Sequence, residues 1–100
     1  MSDPKLKRWH LIAYDISDDK RYREVHRLLK GYGQAVQYSI FRCHLSPRQL
    51  EALRLGLECH LDKTVDRLLI VPLCERCRDH IIEEGPAPLF DEPERAFKIL

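Results

Sequence analysis

A single carboxylate, Asp15, stands at the end of a short apolar segment that runs from Trp9 to Ile16. The residues that follow it, 17–21, are polar and charged, as is typical of the start of a helix. Magnesium is usually bound through one or two carboxylates together with waters, so one aspartate alone makes a weak metal site. We therefore expect either a second carboxylate near Asp15 or a structural role for Asp15 as the cap of the following helix.

A second group of residues has spacing that suits chemistry. Cys74 and Cys77 form a C-x-x-C motif, and His80 follows three residues later, so three ligands of the type that bind zinc are close in sequence. A single C-x-x-C without a second pair is a weak zinc signal, and reduced structural thiols are the favoured interpretation. Cys43 and Cys59 stand alone.

Length and composition limit the class of protein. A chain of 100 residues predicts one domain, and 44% hydrophobic with 33% charged residues is typical of a folded globular protein. The longest apolar run, residues 68–73, is too short to span a bilayer, and the first residues lack the apolar core of a signal peptide. We therefore expect a cytoplasmic protein whose cysteines are reduced.

The charge is unevenly divided along the chain, although the net charge is only +1. Residues 1–50 contain ten Lys or Arg and five acidic residues, whereas residues 51–100 contain seven and eleven. A basic half of this kind can contact nucleic-acid phosphates. An ordinary solvated helix surface is an equally good explanation.

Apolar periodicity predicts the element order β-α-β-β-α-β. Residues 34–45 are predicted to form two strands, because the apolar positions change parity near residues 39–41. Ser46, Pro47 and Gln49 have the pattern of a capping box at a helix start. The other predicted elements are a strand over 9–16, a helix over 18–32, a helix with a buried stripe of Leu50, Leu53, Leu57 and Leu61, a strand over 65–73, and a short helical turn within 74–82.

This order predicts a ferredoxin-like α+β sandwich, with two helices on one face of an antiparallel sheet. The strands over 9–16 and 68–73 are apolar on both sides, and Pro72 indicates an edge position for the second of them. A twofold-related copy of the chain is the simplest cover for the side that the helices leave bare. In such a face-to-face homodimer, Asp15 would approach its symmetry mate.

The predicted domain spans residues 1–84, and residues 85–100 form a tail that contains three prolines. Leu89, Phe90 and Phe97 make this tail too apolar for a free linker. We expect it to pack, as a short extra strand or coil, on the dimer or on a partner.

Taken together, these segments resemble the CRISPR-associated protein 2 family, the small nuclease-like subunit of the spacer-acquisition machinery. The similarity runs from about residue 11 to residue 82, with the pieces in the right order and at matching spacings. The residues that carry it are Tyr14-Asp15-Ile16 with 17–21, then Val25, Leu29 and Gly33, then Val36-Gln37-Tyr38-Ser39-Ile40-Phe41, and finally residues 66–74.

The resemblance implies a ferredoxin-like homodimer in which Asp15 is the catalytic, metal-binding acid, paired with its copy from the other subunit. It implies cleavage of phosphodiester bonds in RNA or double-stranded DNA with Mg²⁺ or Mn²⁺. It also implies a partnership with the larger CRISPR integrase subunit on a DNA duplex, a role in which the nuclease site of the family is dispensable. Relatives often carry consecutive arginines at the start of the first helix, and here Tyr22 and Glu24 interrupt that run.

The remaining candidate site residues each have two interpretations. Arg21, Arg23 and Arg27 either contact phosphates or form a solvated helix face. Tyr14 either supports the site or simply packs in the core. Ser39 and Phe41 either line the site, with Ser39 hydrogen-bonding to water or phosphate, or belong to a bulge with a buried ring.

Other functions stay open at this point. A purely non-catalytic scaffold that holds duplex DNA and docks the integrase subunit is one alternative, and a toxin-like ribonuclease of similar fold is another. A metallochaperone that uses Cys74 and Cys77 is disfavoured, because such proteins usually carry their C-x-x-C after the first strand.

Overall fold

Four antiparallel strands form one sheet in a computed structural model that describes residues 6–86. The elements in chain order are β1 (Arg8–Asp15), α1 (Asp19–Lys30), β2 (Gly33–Gln37), β3 (Ile40–Leu45), α2 (Pro47–His60), β4 (Arg67–Leu73) and α3 (Glu75–Asp79). The strand order is β2-β3-β1-β4, which is the order of a ferredoxin-like sheet. The predicted fold is therefore confirmed, and β4 lies at an edge as Pro72 indicates.

The two long helices begin at capping residues that the sequence identifies. The Asp18 carboxylate accepts the backbone N–H of Arg21 at 2.9 Å, which caps α1. At the start of α2, Ser46 and Gln49 form the predicted capping box, with bonds of 3.2 and 2.9 Å. Such caps satisfy backbone N–H groups that have no partner inside the helix.

The predicted boundaries differ from the observed ones by one or two residues: the strand predicted over 9–16 lies at Arg8–Asp15, and the helix predicted from residue 18 begins at Asp19. The helix predicted over 18–32 ends at Lys30, because Gly31 serves as its C-cap. The strand predicted from residue 65 begins only at Arg67, because the N–H groups of Val65 and Asp66 bond to the carbonyl of Asp62 in a turn.

Residues 34–45 form two strands, as the change of apolar parity predicts. The chain reverses at Tyr38 and Ser39, and a register shift lies between Ala35 and Gln37. At Gly33, a side chain would overlap the Arg42 carbonyl oxygen, so only glycine lets β2 lie this close to β3.

Both long helices pack on one side of the sheet. Leu53 and Leu57 of α2 are fully buried, and Leu50 and Leu61 are partly buried beside them. The buried side chains that form this core are Ile12, Tyr14, Ile16, Val25, Leu29, Phe41, Cys43, Leu45, Leu53 and Leu57.

The other side of β1 and β4 has no helix on it. We call this side the open face and define it by Leu11, Ala13, Asp15, Arg67, Leu69 and Val71. Leu69 is 60% exposed and Val71 is 37% exposed. Towards β3 the same side is covered by its own side chains, since Trp9 stacks on His44 and the Arg42 guanidinium lies 5.1 Å from the centre of the Trp9 ring.

In the part of the chain from residue 6 to residue 86, no helix combines the length and apolar character needed to cross a membrane. The predicted tail lies outside the described residues from position 87 onward.

Candidate metal and nucleic-acid site

Asp15 is the last residue of β1, and its exposed side chain lies on the open face, directly opposite Arg67 of β4. Its carboxylate forms no hydrogen bond or ion pair with another residue of the described range 6–86. The helix-capping alternative for Asp15 is wrong, because Asp18 holds that position. Asp15 is therefore an exposed carboxylate without a hydrogen-bond or ion-pair partner among residues 6–86.

A wide groove runs past Asp15 where β1, β4 and the loop after α2 meet. Lys63 and Arg67 line it together with the acidic residues Asp15, Glu58 and Asp66, so three acids and two cations share one surface depression. Neither basic residue is among the site residues predicted from the sequence. The position of Arg67 on the open face could be inferred from the sequence, because Arg67 and Leu69 alternate along one strand and so lie on the same side of the sheet. A loop residue such as Lys63 offers no such pattern.

The donor set fits a hard cation but is incomplete in one chain. A carboxylate oxygen is the ligand type that Mg²⁺ and Mn²⁺ prefer. Among residues 6–86, no three His, Cys, Asp or Glu side chains converge to hold a metal ion. A site at Asp15 would therefore need waters, substrate phosphate or a second carboxylate from another chain. Cys74, Cys77 and His80 therefore do not converge as zinc ligands. The His80 ring is instead hydrogen-bonded to the Arg76 carbonyl oxygen at 2.7 Å.

Arg21 is already engaged by an internal acid. Its Nε donates to one oxygen of Asp66 at 2.8 Å, and its Nη2 donates to the other at 3.3 Å. The Asp66 side chain is inaccessible to solvent and also accepts the N–H of Asp62. A phosphate at Arg21 would have to compete with this pair, whereas Arg23 and Arg27 are exposed on α1.

The Arg21–Asp66 pair predicts an acid-sensitive component of stability. The hydrogen bonds from Arg21, followed by that from the Asp62 N–H, hold the pKa of Asp66 below its ordinary value. A carboxyl with a lowered folded-state pKa stabilises the protein above its unfolded pKa of about 4 and loses this contribution as the pH falls through the folded value. Asp66→Asn should therefore melt several degrees below the wild type at neutral pH, with a gap that narrows below about pH 4.

Thermal melts from neutral to acidic pH would measure this gap. Asp19→Asn is the matched control, because Asp19 is an exposed acid in the first turn of α1. A difference in melting temperature between wild type and Asp66→Asn that stays constant down to low pH would contradict this link between the pKa of Asp66 and stability.

Tyr14 and Phe41 lie on the helix side of the sheet, opposite to Asp15. The Tyr14 hydroxyl lies 2.8 Å from Nδ1 of His26 and 3.2 Å from the Tyr38 carbonyl oxygen. Burial, together with the adjacent Tyr22, raises the pKa of Tyr14, so its hydroxyl stays protonated at neutral pH. Phe41 is fully buried, which matches its interpretation as a buried ring.

Ser39 contacts the end of β1 through its backbone. Its carbonyl accepts the Tyr14 N–H at 3.1 Å, one residue before Asp15. Tyr14 and Ser39 thus fix the strand end that carries the carboxylate, and Phe41 supports it from beneath.

The fold and the site together define a ferredoxin-like α+β domain with a solvent-facing acid at the end of its first strand. The family model described as CRISPR associated protein Cas2 matches residues 8–81. The chain therefore belongs to the Cas2 family, as the resemblance of its motifs indicates.

Similar proteins cover most of the chain. It is 43% identical over 83 residues to the CRISPR-associated endoribonuclease Cas2 1 of Chloroflexus aurantiacus, which covers 80% of this chain and 89% of that one. It is 42% identical over 82 residues to the CRISPR-associated endonuclease Cas2 2 of Thermus thermophilus, which covers 82% and 89%. The crystal structure of Streptococcus pyogenes Cas2 superposes with a TM-score of 0.67 at 27% identity, covering 77% of this chain and 99% of that chain.

Proposed function

We propose that this protein acts in CRISPR adaptation as a homodimeric, metal-dependent endonuclease of RNA or double-stranded DNA. The observation that carries the proposal is the Asp15 carboxylate, which is exposed, has no partner among residues 6–86 and stands beside an uncovered apolar sheet surface. Relatives named endoribonuclease and endonuclease support a nuclease activity and leave both nucleic acids open as substrates.

The open face provides the surface for a second copy. Leu69 lies opposite Ala13, and Val71 lies opposite Leu11, so four apolar side chains form a continuous patch across β1 and β4. Full burial of one Val or Leu side chain stabilises an assembly by about 1.5–3 kcal/mol. In a twofold arrangement centred on this patch, two Asp15 residues face one position, and together they supply the pair of carboxylates that a single chain lacks.

Residues of the groove and of α1 have separate roles in this proposal. A divalent ion bound there supplies charge neutralisation at the scissile phosphate and lowers the pKa of water. Asp15 holds the ion, and Arg67 and Lys63 bind neighbouring phosphates of the substrate. Tyr14 and Ser39 keep the end of β1 in place. Arg23 and Arg27 extend the phosphate contacts along α1. Arg21 joins them only if its guanidinium exchanges Asp66 for a phosphate.

A purely non-catalytic scaffold that binds duplex DNA and the CRISPR integrase subunit is the second candidate. The observation in its favour is the sparse donor set, since the described residues 6–86 of one chain contain no group of three possible metal ligands. Membership of the Cas2 family removes the support for a toxin-like ribonuclease or a metallochaperone.

A cleavage assay separates the two candidates. Purified protein is incubated with single-stranded RNA or with duplex DNA, in Mg²⁺, in Mn²⁺ or in excess chelator, and binding to the duplex is measured in parallel. The nuclease proposal expects at least one of the two substrates to be cut only when the metal is present. Tight duplex binding without cleavage in either metal would leave the scaffold as the function.

A further inference from the structure

Two thiols lie side by side at the surface. They belong to α3 and its N-cap, whereas Asp15 ends β1. Cys74 caps α3, and Cys77 follows one turn later. Their Sγ atoms are 3.3 Å apart, and the Cys77 backbone N–H donates to the Cys74 Sγ at 3.4 Å. Both cysteines are exposed. Since a disulfide bond is about 2.05 Å long, the two sulfurs need to move only slightly closer to be joined.

Cys74 also lines a cleft between α3 and the start of β1. The cleft has a volume of about 410 Å³, and its walls include the aromatic rings of Trp9 and His44. Four of its lining residues are basic and one, Glu75, is acidic. The basic lining residues are Lys7, Arg8, Arg76 and Arg78. A compact anionic molecule in this cleft would lie beside Cys74.

The two thiols are chemically unequal. Hydrogen bonds from the Cys77 N–H and then from the Cys77 thiol lower the pKa of Cys74 from its ordinary value. The bond to Cys74 and the charge of its thiolate raise the pKa of Cys77. Cys43 is different from both, because burial raises its pKa to about 11 and removes it from solvent. Only thiolates attack disulfides, so an exposed, stabilised thiolate beside a second thiol has the arrangement of an exchange pair.

We propose that Cys74 and Cys77 form a redox-active dithiol that exchanges with small anionic disulfides bound in the basic cleft. The Cys74 thiolate attacks one sulfur of the disulfide R–S–S–R, which forms a Cys74–S–S–R bond and releases one thiolate. Cys77 then loses its proton to solvent and attacks the Cys74 sulfur, which forms the Cys74–Cys77 disulfide and releases the second thiolate. The protein dithiol is oxidised, and the disulfide is reduced to two thiols.

Oxidised glutathione, which carries several carboxylates, is the probe for this exchange. The fully reduced, full-length protein is mixed with it, quenched with acid at timed intervals and mapped by peptide mass spectrometry. Cys59 is an exposed thiol on α2 with no cysteine beside it, so it reports the background rate within the same molecule. We expect oxidation at Cys74 to proceed at least about tenfold faster than adduct formation at Cys59, and to end in the Cys74–Cys77 disulfide.

Two variants test the order of attack. Cys77→Ser should stop at one glutathione adduct on Cys74, because no second thiol resolves it. Cys74→Ser should leave Cys77 no more reactive than Cys59. Neither readout depends on cleavage of nucleic acid, so the result stands apart from the proposed nuclease function.

The charge of the substrate is tested with hydroxyethyl disulfide, a neutral probe. We expect oxidised glutathione to react several-fold faster than the neutral probe at low salt, and this advantage should shrink at high salt as the cleft is screened. Equal rates for the two probes would overturn the anionic substrate class. Modification of Cys74 at the rate of Cys59, or the absence of the internal disulfide in wild type, would overturn the dithiol itself.

Discussion

Asp15→Asn is expected to lower metal-dependent cleavage by at least about a hundredfold while duplex binding changes little. Asparagine keeps the shape of the side chain but removes the negative charge, and in the proposed dimer it removes both charges from one metal position. Because Asp15 is exposed and has no partner among residues 6–86, its loss leaves no buried group unsatisfied. The melting temperature should therefore stay close to that of the wild type.

The matched control is Asp19→Asn, which removes an acid of equal charge from the first turn of α1. Cleavage by this variant should stay within about twofold of wild type, since Asp19 is an exposed acid that does not line the groove at Asp15. Cleavage and duplex binding are measured for both variants at the same metal concentration. Undiminished, metal-dependent cutting by Asp15→Asn would remove Asp15 from the catalytic machinery and leave the nuclease assignment without its central residue.

The positions of the strands could be predicted because their residues alternate or change parity in simple ways. The switch between Tyr38 and Phe41 in apolar parity predicts the hairpin, and the structure has both a turn and a register shift there. The exact start of β4 could not be predicted, because Val65 is apolar yet belongs to a turn closed by Asp62. An apolar residue in a turn has no sequence signal of its own.

The candidate site was only partly visible in the sequence. Asp15 stands out in the sequence because a charge follows an apolar strand. The structure adds that its carboxylate has no partner among the described residues. The bond between Arg21 and Asp66 joins residues 45 positions apart, and no local pattern reveals it. Arg21 therefore had the sequence character of a phosphate contact, although in the folded chain its guanidinium holds an internal carboxylate.

The C-x-x-C motif illustrates the same limit. Its spacing identifies two neighbouring thiols, but the basic cleft beside Cys74 is built partly from residues near Trp9, far away in the chain. Pairing of β1 with β4 places Trp9 opposite Leu73 and brings the two segments together. Such a site depends on sheet register, which a sequence pattern predicts only after the topology is known.

Leu69→Glu should convert the proposed dimer to a monomer and abolish most of the proposed cleavage, although Asp15 is untouched. Leu69 is 60% exposed in the single chain, so the substitution should change the stability of the monomer by no more than about 0.5 kcal/mol. In a face-to-face dimer the same position is buried, and an unpaired carboxylate there costs several kcal/mol. Because the twofold axis applies the penalty twice, the dimer dissociation constant should rise by at least about a hundredfold.

Leu55→Glu is the matched control, since Leu55 is 57% exposed but lies on α2, away from the open face. Sedimentation equilibrium over a range of concentrations measures the mass of both variants, and the cleavage assay is run at the same concentrations. The control should keep the wild-type mass and activity, while Leu69→Glu loses both together, because separating the chains separates the two carboxylates. A Leu69→Glu protein that keeps twice the chain mass would contradict a dimer interface at the open face. A wild type that cuts as a monomer would show that Asp15 acts without the second carboxylate.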